Sequence, residues 1–410
     1  MKILMFYPGQ VHHLPPLMTS AAAMARLGAR VRVVAFSAAE PSARYLRERG
    51  IELSLLREGH PRTATGKAAL WSRSLIRLYF EERRMQPDCV WLHQSHFISW
   101  HAWIPRTRSR VATVVHSHEF TSHVWRRWMS QKALARRADV VICPEQNRAL
   151  ILKHFSGSSG RVVIVPNRPA NDMLPSVSVP VRTADVFHEA GGAASCSRFL
   201  IYQGAFGATR CLEQVVDAFR LLSFPDAGLI LMGGDPDSDS YQKLVCRAGD
   251  DGRIVLLPRI APPAHLEITR GCVGGIVLYS PTTLNNIYCA PNKIYEYASF
   301  GLGMVLPDYP GLAGINEQYR LGVTCNPTDS SSIAFAMRHV LQTPREEYQE
   351  ACRRFLNTFS QPEDTFRKLY SALEEVIHEK TGRQWNSETQ VSEPIRDLDK
   401  RAEPLPDGIL

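Results

Sequence analysis

CAPNKIYEYASFGLGMVLP, residues 289–307, reads as a helix and a buried strand joined through Gly301. The helix spans about Pro291 to Phe300, and GMVLP continues as the strand. Just upstream, GGIVLYS is a second apolar run, ending near Ser280, so the order is strand, loop, helix, strand. That is the repeating unit of a parallel α/β sheet. The helix start breaks local rules. Ala290 holds the cap position, Pro291 the first helical position, and Lys293 lies in the first turn. Helix starts favour Ser, Thr, Asp or Asn as caps and acidic side chains in the first turn, although proline suits the first helical position. Free N–H groups, the positive end of the helix dipole and a lysine at the carboxyl end of a strand make a site for an anion, most naturally phosphate. Glu296 follows Lys293 by three residues on the same face. It can pair with the lysine or accept two hydroxyls of a ribose, and the spacing alone allows both.

The same alternation extends outward in two series. The first runs through KILMFY, VRVVAF, IELSLL, CVWLH, VATVVHSH, DVVICP and RVVIVPN, with helical segments between them, including the long one Lys67–Gln86. The second restarts at FLIYQG and continues through AGLILMGG, RIVLLP, GGIVLYS, GMVLP and LGVTCNP. The predicted fold is α/β: two Rossmann-like, doubly wound parallel-sheet domains facing a cleft, with ligands outside the carboxyl ends of the strands. Residues 1–168 form the first domain and 199–360 the second. Residues 169–198 show no period and read as a linker or irregular loop. Residues 361–380 read as a C-terminal helix packing back toward the first domain, and 381–410 as a polar, disordered tail.

The composition is that of a globular protein: 44% hydrophobic and 21% charged in 410 residues. Charge is uneven. Residues 1–168 carry 26 Lys+Arg against 10 Asp+Glu, a balance of +16; the remainder carries 22 against 30, a balance of −8. A basic half suits an anionic partner, whether a phosphorylated substrate or a membrane face, and a merely solvated arginine surface is the plain alternative. The opening MKILMFYPGQ reads as a buried strand rather than a signal peptide, and no apolar run approaches the roughly 18 residues that span a bilayer. Nine cysteines occur singly, without a C-x-x-C pair, as reduced cytoplasmic thiols do.

PNKIYEYASFGLGMV resembles the donor-site signature of the retaining, nucleotide-sugar-dependent glycosyltransferases of the B fold, in particular the family 4-like branch of bacterial polysaccharide and secondary-metabolite pathways. LIYQGAFGATRCLEQVVDAF is similar to that family's entry into the second domain, VVHSHEF to its first-domain strand ending in histidine, and RADVVICPEQNRALIL to the strand and helix that follow. The resemblance implies a donor site in which Glu296 holds the ribose hydroxyls and Arg210 and Lys293 hold the diphosphate. It places Asn292 at the same helix start, Gly204 in the phosphate loop, and Gly9 near the diphosphate. His118 meets the donor sugar, and Arg259 and Ile260 lie where the nucleobase is gripped. Catalysis is implied for His118, Arg210 and Lys293, without a dedicated protein nucleophile. His13 and Glu119 are candidates on the acceptor side. Three positions depart from the pattern: Tyr288 stands where a second glutamate contacts the donor sugar, Ala205 where an arginine follows the phosphate-loop glycine, and Cys211 where a glycine follows the basic residue. The expected activity is metal-independent transfer of a sugar from a nucleoside-diphosphate sugar to an acceptor hydroxyl with retention, in the cytoplasm or peripherally at the inner membrane face. No cofactor is implied. The acceptor is open, with an anionic or lipid-linked molecule suggested by charge. A nucleotide-sugar 2-epimerase on the same fold and a non-catalytic nucleotide-sugar-binding relative are the alternatives.

Other motifs carry less. GGDPDSDS, with Asp235, Asp237 and Asp239, lacks the glycine and glutamate that a calcium loop needs at its sixth and twelfth positions, and reads as a turn with a helix cap. His93, His96, His101, His116, His118 and His123 cluster without a matching cysteine set, so packing is the default and no metal is expected. HFISWHAWIPRTRSR and HVWRRWMSQKALARR interleave tryptophan with arginine, as core with a basic edge or as a surface for an anionic membrane. No nucleic-acid recognition motif is present.

Overall fold

The computed structural model describes residues 1–56, 63–94, 110–120, 125–169, 173–176, 181–358 and 362–383. Its first sheet has seven parallel strands: β1 (Lys2–Gln10), β2 (Arg30–Ser37), β3 (Glu52–Leu55), β4 (Cys89–His93), β5 (Ala112–His116), β6 (Val140–Cys143) and β7 (Arg161–Ile164), in the spatial order 3-2-1-4-5-6-7. The second has six: β8 (Arg198–Gln203), β9 (Ala227–Gly234), β10 (Ile254–Pro258), β11 (Gly274–Ile276), β12 (Gly303–Pro307) and β13 (Gly322–Cys325), in the order 10-9-8-11-12-13. Both sheets reverse their order beside the first strand of the series, β1/β4 in one and β8/β11 in the other, and a crevice opens outside the strand ends at such a point. The strands are Val-, Ile- and Leu-rich because helices cover both faces, as in the fully buried run Ile3–Phe6. Two Rossmann-like domains thus face one another, the architecture of the B fold.

Two local expectations are corrected. β11 stops at Ile276, short of Ser280, although Val277 still donates to the Val305 carbonyl at 2.9 Å. Within 169–198, Thr183–Glu189 is a helix whose Phe187 packs on Phe199, ring centroids 4.9 Å apart, in the second core. Seven residues are too few to display a helical period, so the sequence pattern misses it. In HVWRRWMSQKALARR, Trp128 stacks on Phe155 at 4.0 Å, whereas Trp125, the first residue of its helix, is 70% exposed. HFISWHAWIPRTRSR, except its last residue, and His96, His101 and His123 lie outside the described residues.

The final helix, Pro362–Thr381, places Phe366, Leu369, Leu373, Val376 and Ile377 in the core of the first domain. Lys380 and Arg383 fasten it to Asp139 and Asp88 at 2.9 Å each. All nine cysteines are free, and eight are buried. Among the described residues no helix is long and apolar enough to cross a membrane.

Candidate functional site

The two sets of strand ends enclose a cleft of about 340 Å³. On the second-domain wall, β8 delivers Gln203 and Gly204. Gly204 has φ +136°, and a side chain there would press on Lys293 Cε and Nζ at 3.1 and 3.2 Å. Gly233, φ +120°, allows the Gly204 carbonyl to approach within 2.5 Å of where its Cβ would stand. These two glycines keep the loop flat against the lysine.

The helix start differs by one residue from its expected register: Pro291 is the cap residue, φ −74° and ψ 146°, and the helix is Asn292–Ser299. Proline offers no side-chain acceptor, so the first-turn N–H groups stay uncapped, and no acidic side chain lies in that turn. Lys293 sits with Nζ 4.0 Å from the centroid of the Tyr202 ring and 5.5 Å from that of Tyr279. Arg210 lies 4.5 Å over the other ring, Tyr279. Neither cation has a carboxylate within 4.0 Å among the described residues. Burial, and next Arg210, hold the lysine well below the ordinary ammonium range. Cys211 adopts φ +54° and ψ 32°, the left-handed conformation that a glycine would take more easily, so the chain still turns as the motif requires.

Glu296, 5% exposed, does not pair with Lys293. It accepts a hydrogen bond from Gln203 Nε2, and Gln203 Oε1 in turn accepts from Thr269 Oγ1 at 2.5 Å. His265 Nε2 lies 3.7 Å from the other carboxylate oxygen. A buried carboxylate oriented by a neutral amide keeps acceptor capacity toward the cleft.

On the first-domain wall, β4 and β5 end in a stack of imidazoles. His93 Nδ1 is 3.1 Å from His118 Nε2, and the His116 and His118 ring centroids are 3.9 Å apart. His93 Nε2, both nitrogens of His116 and Nδ1 of His118 are buried without partners. Burial, and then the neighbouring cations and imidazoles, hold all three pKa values down, that of His118 at about 3. Among the described residues this trio alone brings three ligand atoms within 4.8 Å of one another, the spacing a metal ion would need.

Arg148 crosses from this wall to the other. Its guanidinium donates to the carbonyls of His118 at 2.5 Å, Tyr288 at 2.6 Å and Asn285 at 2.9 Å. The Asn285 side-chain oxygen accepts from the Phe120 N–H at 2.9 Å, and Asn167 Nδ2 donates to the Ala290 carbonyl at 2.9 Å. The His13 and Arg259 side chains meet across the cleft at 2.8 Å. The cleft is therefore laced at several points between domains.

Of the residues singled out in the sequence, His13, His118, Glu119, Gly204, Arg210, Arg259, Ile260, Asn292, Lys293 and Glu296 line one cleft. Gly9 and Tyr288 do not: Gly9 gives room to the Tyr7 ring, 2.6 Å from its missing Cβ, and Tyr288 contributes its carbonyl to Arg148. Sequence reasoning missed Arg148, Gln203, His265 and the tyrosine platform of Tyr202 and Tyr279. None has a local signal, because each acquires its role from a partner distant in the chain. The Asp235 run is a turn, with Asp235 Oδ1 accepting from the Asp237 N–H at 3.1 Å and Ser238 capping the helix Asp239–Ala248.

Residues 17–168 match the family model described as a glycosyl transferase 4-like domain. No curated protein matches. Among solved structures, HepE (Alr3699) of Anabaena in complex with UDP and glucose superposes with TM-score 0.69 at 16% identity, over 92% of this chain and 100% of that one. Sucrose-phosphate synthase of Thermosynechococcus elongatus gives 0.62 at 15%, over 93% and 97%. A putative UDP-N-acetylglucosamine 2-epimerase of Listeria monocytogenes gives 0.65 at 12%, over 94% and 98%. At such identities the likeness is one of fold.

Proposed function

We propose that this chain, which carries a glycosyl transferase 4-like domain on the B fold, transfers a sugar from a nucleoside-diphosphate sugar to an acceptor hydroxyl, with retention and without a metal ion. One observation carries the reading: among the described residues Lys293 and Arg210 stand without an anionic partner at an uncapped helix start, while Glu296, one turn on, is held by Gln203 instead of by the lysine. In this reading the diphosphate is the missing anion. Leaving-group charge grows as the glycosidic bond breaks, and two cations plus the helix end stabilise it in place of a metal. Glu296 accepts the ribose hydroxyls, and Arg259 and Ile260 flank the base. His118, neutral because of burial, contacts the donor sugar, and His13 and Glu119 face the acceptor. The remaining work is alignment of donor and acceptor in a cleft already laced between domains. The basic first half suits an anionic or lipid-linked acceptor at a membrane face.

The direct test is thermal stabilisation by a panel of nucleoside diphosphates and their sugars, since a ligand that binds only the folded chain raises the melting temperature by mass action. A cognate donor at a hundredfold excess over its Kd adds about 2.7 kcal/mol. No shift with any member of the panel overturns the reading. Release of free sugar and nucleotide without acceptor would favour the epimerase alternative.

A further inference from the structure

The helix Ala64–Met85 carries two different faces. Its inner side, Leu70, Trp71, Ser74, Leu78, Glu81 and Met85, is buried against the first sheet, and Glu81 there takes Arg32 at 2.6 Å and Ser54 at 2.7 Å. Its outer side presents Ile76, Tyr79 and Phe80, 56%, 49% and 62% exposed. Positions three and four apart share a helix face, so these three form one apolar patch. Tyr79 and Phe80 meet edge to face at 5.8 Å, and the Arg83 guanidinium lies 5.0 Å over the Tyr79 ring. Every exposed charged side chain described on this helix is an arginine: Arg73, Arg77, Arg83 and Arg84. Of its two carboxylates, Glu81 is buried and Glu82 half-buried.

The neighbouring helix Trp125–Arg137 lies on the same side of the sheet, since Trp128 and Leu134 join Trp71, Leu78 and Met85 in one core cluster. It adds exposed Trp125 and Met129, with Arg136 and Arg137 at its far end. Large apolar side chains framed by arginine, on a half of the chain with 26 basic against 10 acidic residues, match an interface that is apolar below and anionic above. A second copy of the chain would set arginine against arginine across a twofold axis. Phosphodiesters alone leave Ile76 and Phe80 without a use.

We propose that the outward face of helix Ala64–Met85 docks on an anionic lipid bilayer, Ile76, Tyr79 and Phe80 entering the headgroup boundary and the four arginines holding lipid phosphates. This deepens the membrane-side part of the function proposed above and is independent of sugar transfer.

The test is co-sedimentation of the full chain with phosphatidylcholine vesicles, with and without phosphatidylglycerol. Binding is expected to the mixed vesicles only and to weaken with salt. Ile76→Ser/Tyr79→Ser/Phe80→Ser abolishes it, and each of Arg73→Gln and Arg77→Gln weakens it about fivefold. All are surface changes, and an unchanged melting temperature checks that the variants fold. Absence of binding by the parent chain overturns the proposal, as does undiminished binding by the triple variant. So does self-association that the triple variant dissolves, or equal binding to a nucleic-acid duplex. The melting shift with nucleoside diphosphates, read on the same samples, separates the two readings: its loss in the parent chain bears on sugar transfer and leaves docking standing.

Discussion

Arg148 and Arg210 face the same cleft from opposite walls and live in opposite circumstances. Arg148 spends its guanidinium on three backbone carbonyls, one from its own domain and two from the loop of the other. Among the described residues Arg210 has the face of Tyr279, and Lys293 beside it the faces of Tyr202 and Tyr279. A buried or half-buried cation without an anion is costly, so a pair of them in one pocket marks where a ligand completes the structure. A cation saturated by carbonyls marks where the structure completes itself. Arg148 is therefore read as architecture, and the pair Arg210 and Lys293 as a binding surface.

The largest effect that tests this contrast is Lys293→Ala. Turnover should fall about 10²–10³-fold, the scale for removing one donor from a preorganised charge-stabilising site. Melting temperature should hold or rise, because the ammonium has no native anion to lose. Undiminished turnover would break the contrast on the donor side. Arg148→Met should show the reverse balance. Three carbonyls left without a donor cost on the order of 3 kcal/mol, read as a lower urea midpoint. Unchanged stability with lost nucleotide binding would move Arg148 to the ligand side.

The smallest and most graded effect concerns acid. The unfolded imidazole titrates near 6.5, and His118 is held at about 3 by burial, with His93 and His116 also held low. As pH falls below about 6.5 the unfolded chain takes up protons first, so stability is lost, by up to about 1.4 kcal/mol per pH unit for each histidine. Above 6.5 the three contribute no pH dependence. His116→Gln should flatten the acid limb of a denaturation series, and an unaltered limb would show that the stack does not control it.

What the sequence revealed in advance follows one rule. Alternating apolar runs disclosed both sheets, and the lysine and glutamate one turn apart at an uncapped helix start disclosed the second-domain wall of the cleft, because periodicity and capping are properties of neighbouring residues. Three refinements were beyond it: Pro291 as the cap in place of Ala290, the short helix Thr183–Glu189, and the left-handed Cys211, where backbone geometry outweighs residue preference.

By itself, then, the sequence determined the two α/β series and the positions of Lys293, Arg210 and Glu296 along them. Only the tertiary structure decided how each is partnered. Glu296 meets Gln203, which comes from β8, and Arg148 meets the loop at 285–288 because the two domains close on one another. It also decided that Ile76, Tyr79 and Phe80 of Ala64–Met85 stay exposed while Glu81 is buried against Arg32. Local pattern sets which backbone each residue adopts. Partnership is set by which strand ends the fold brings together, and no short stretch of chain contains that information.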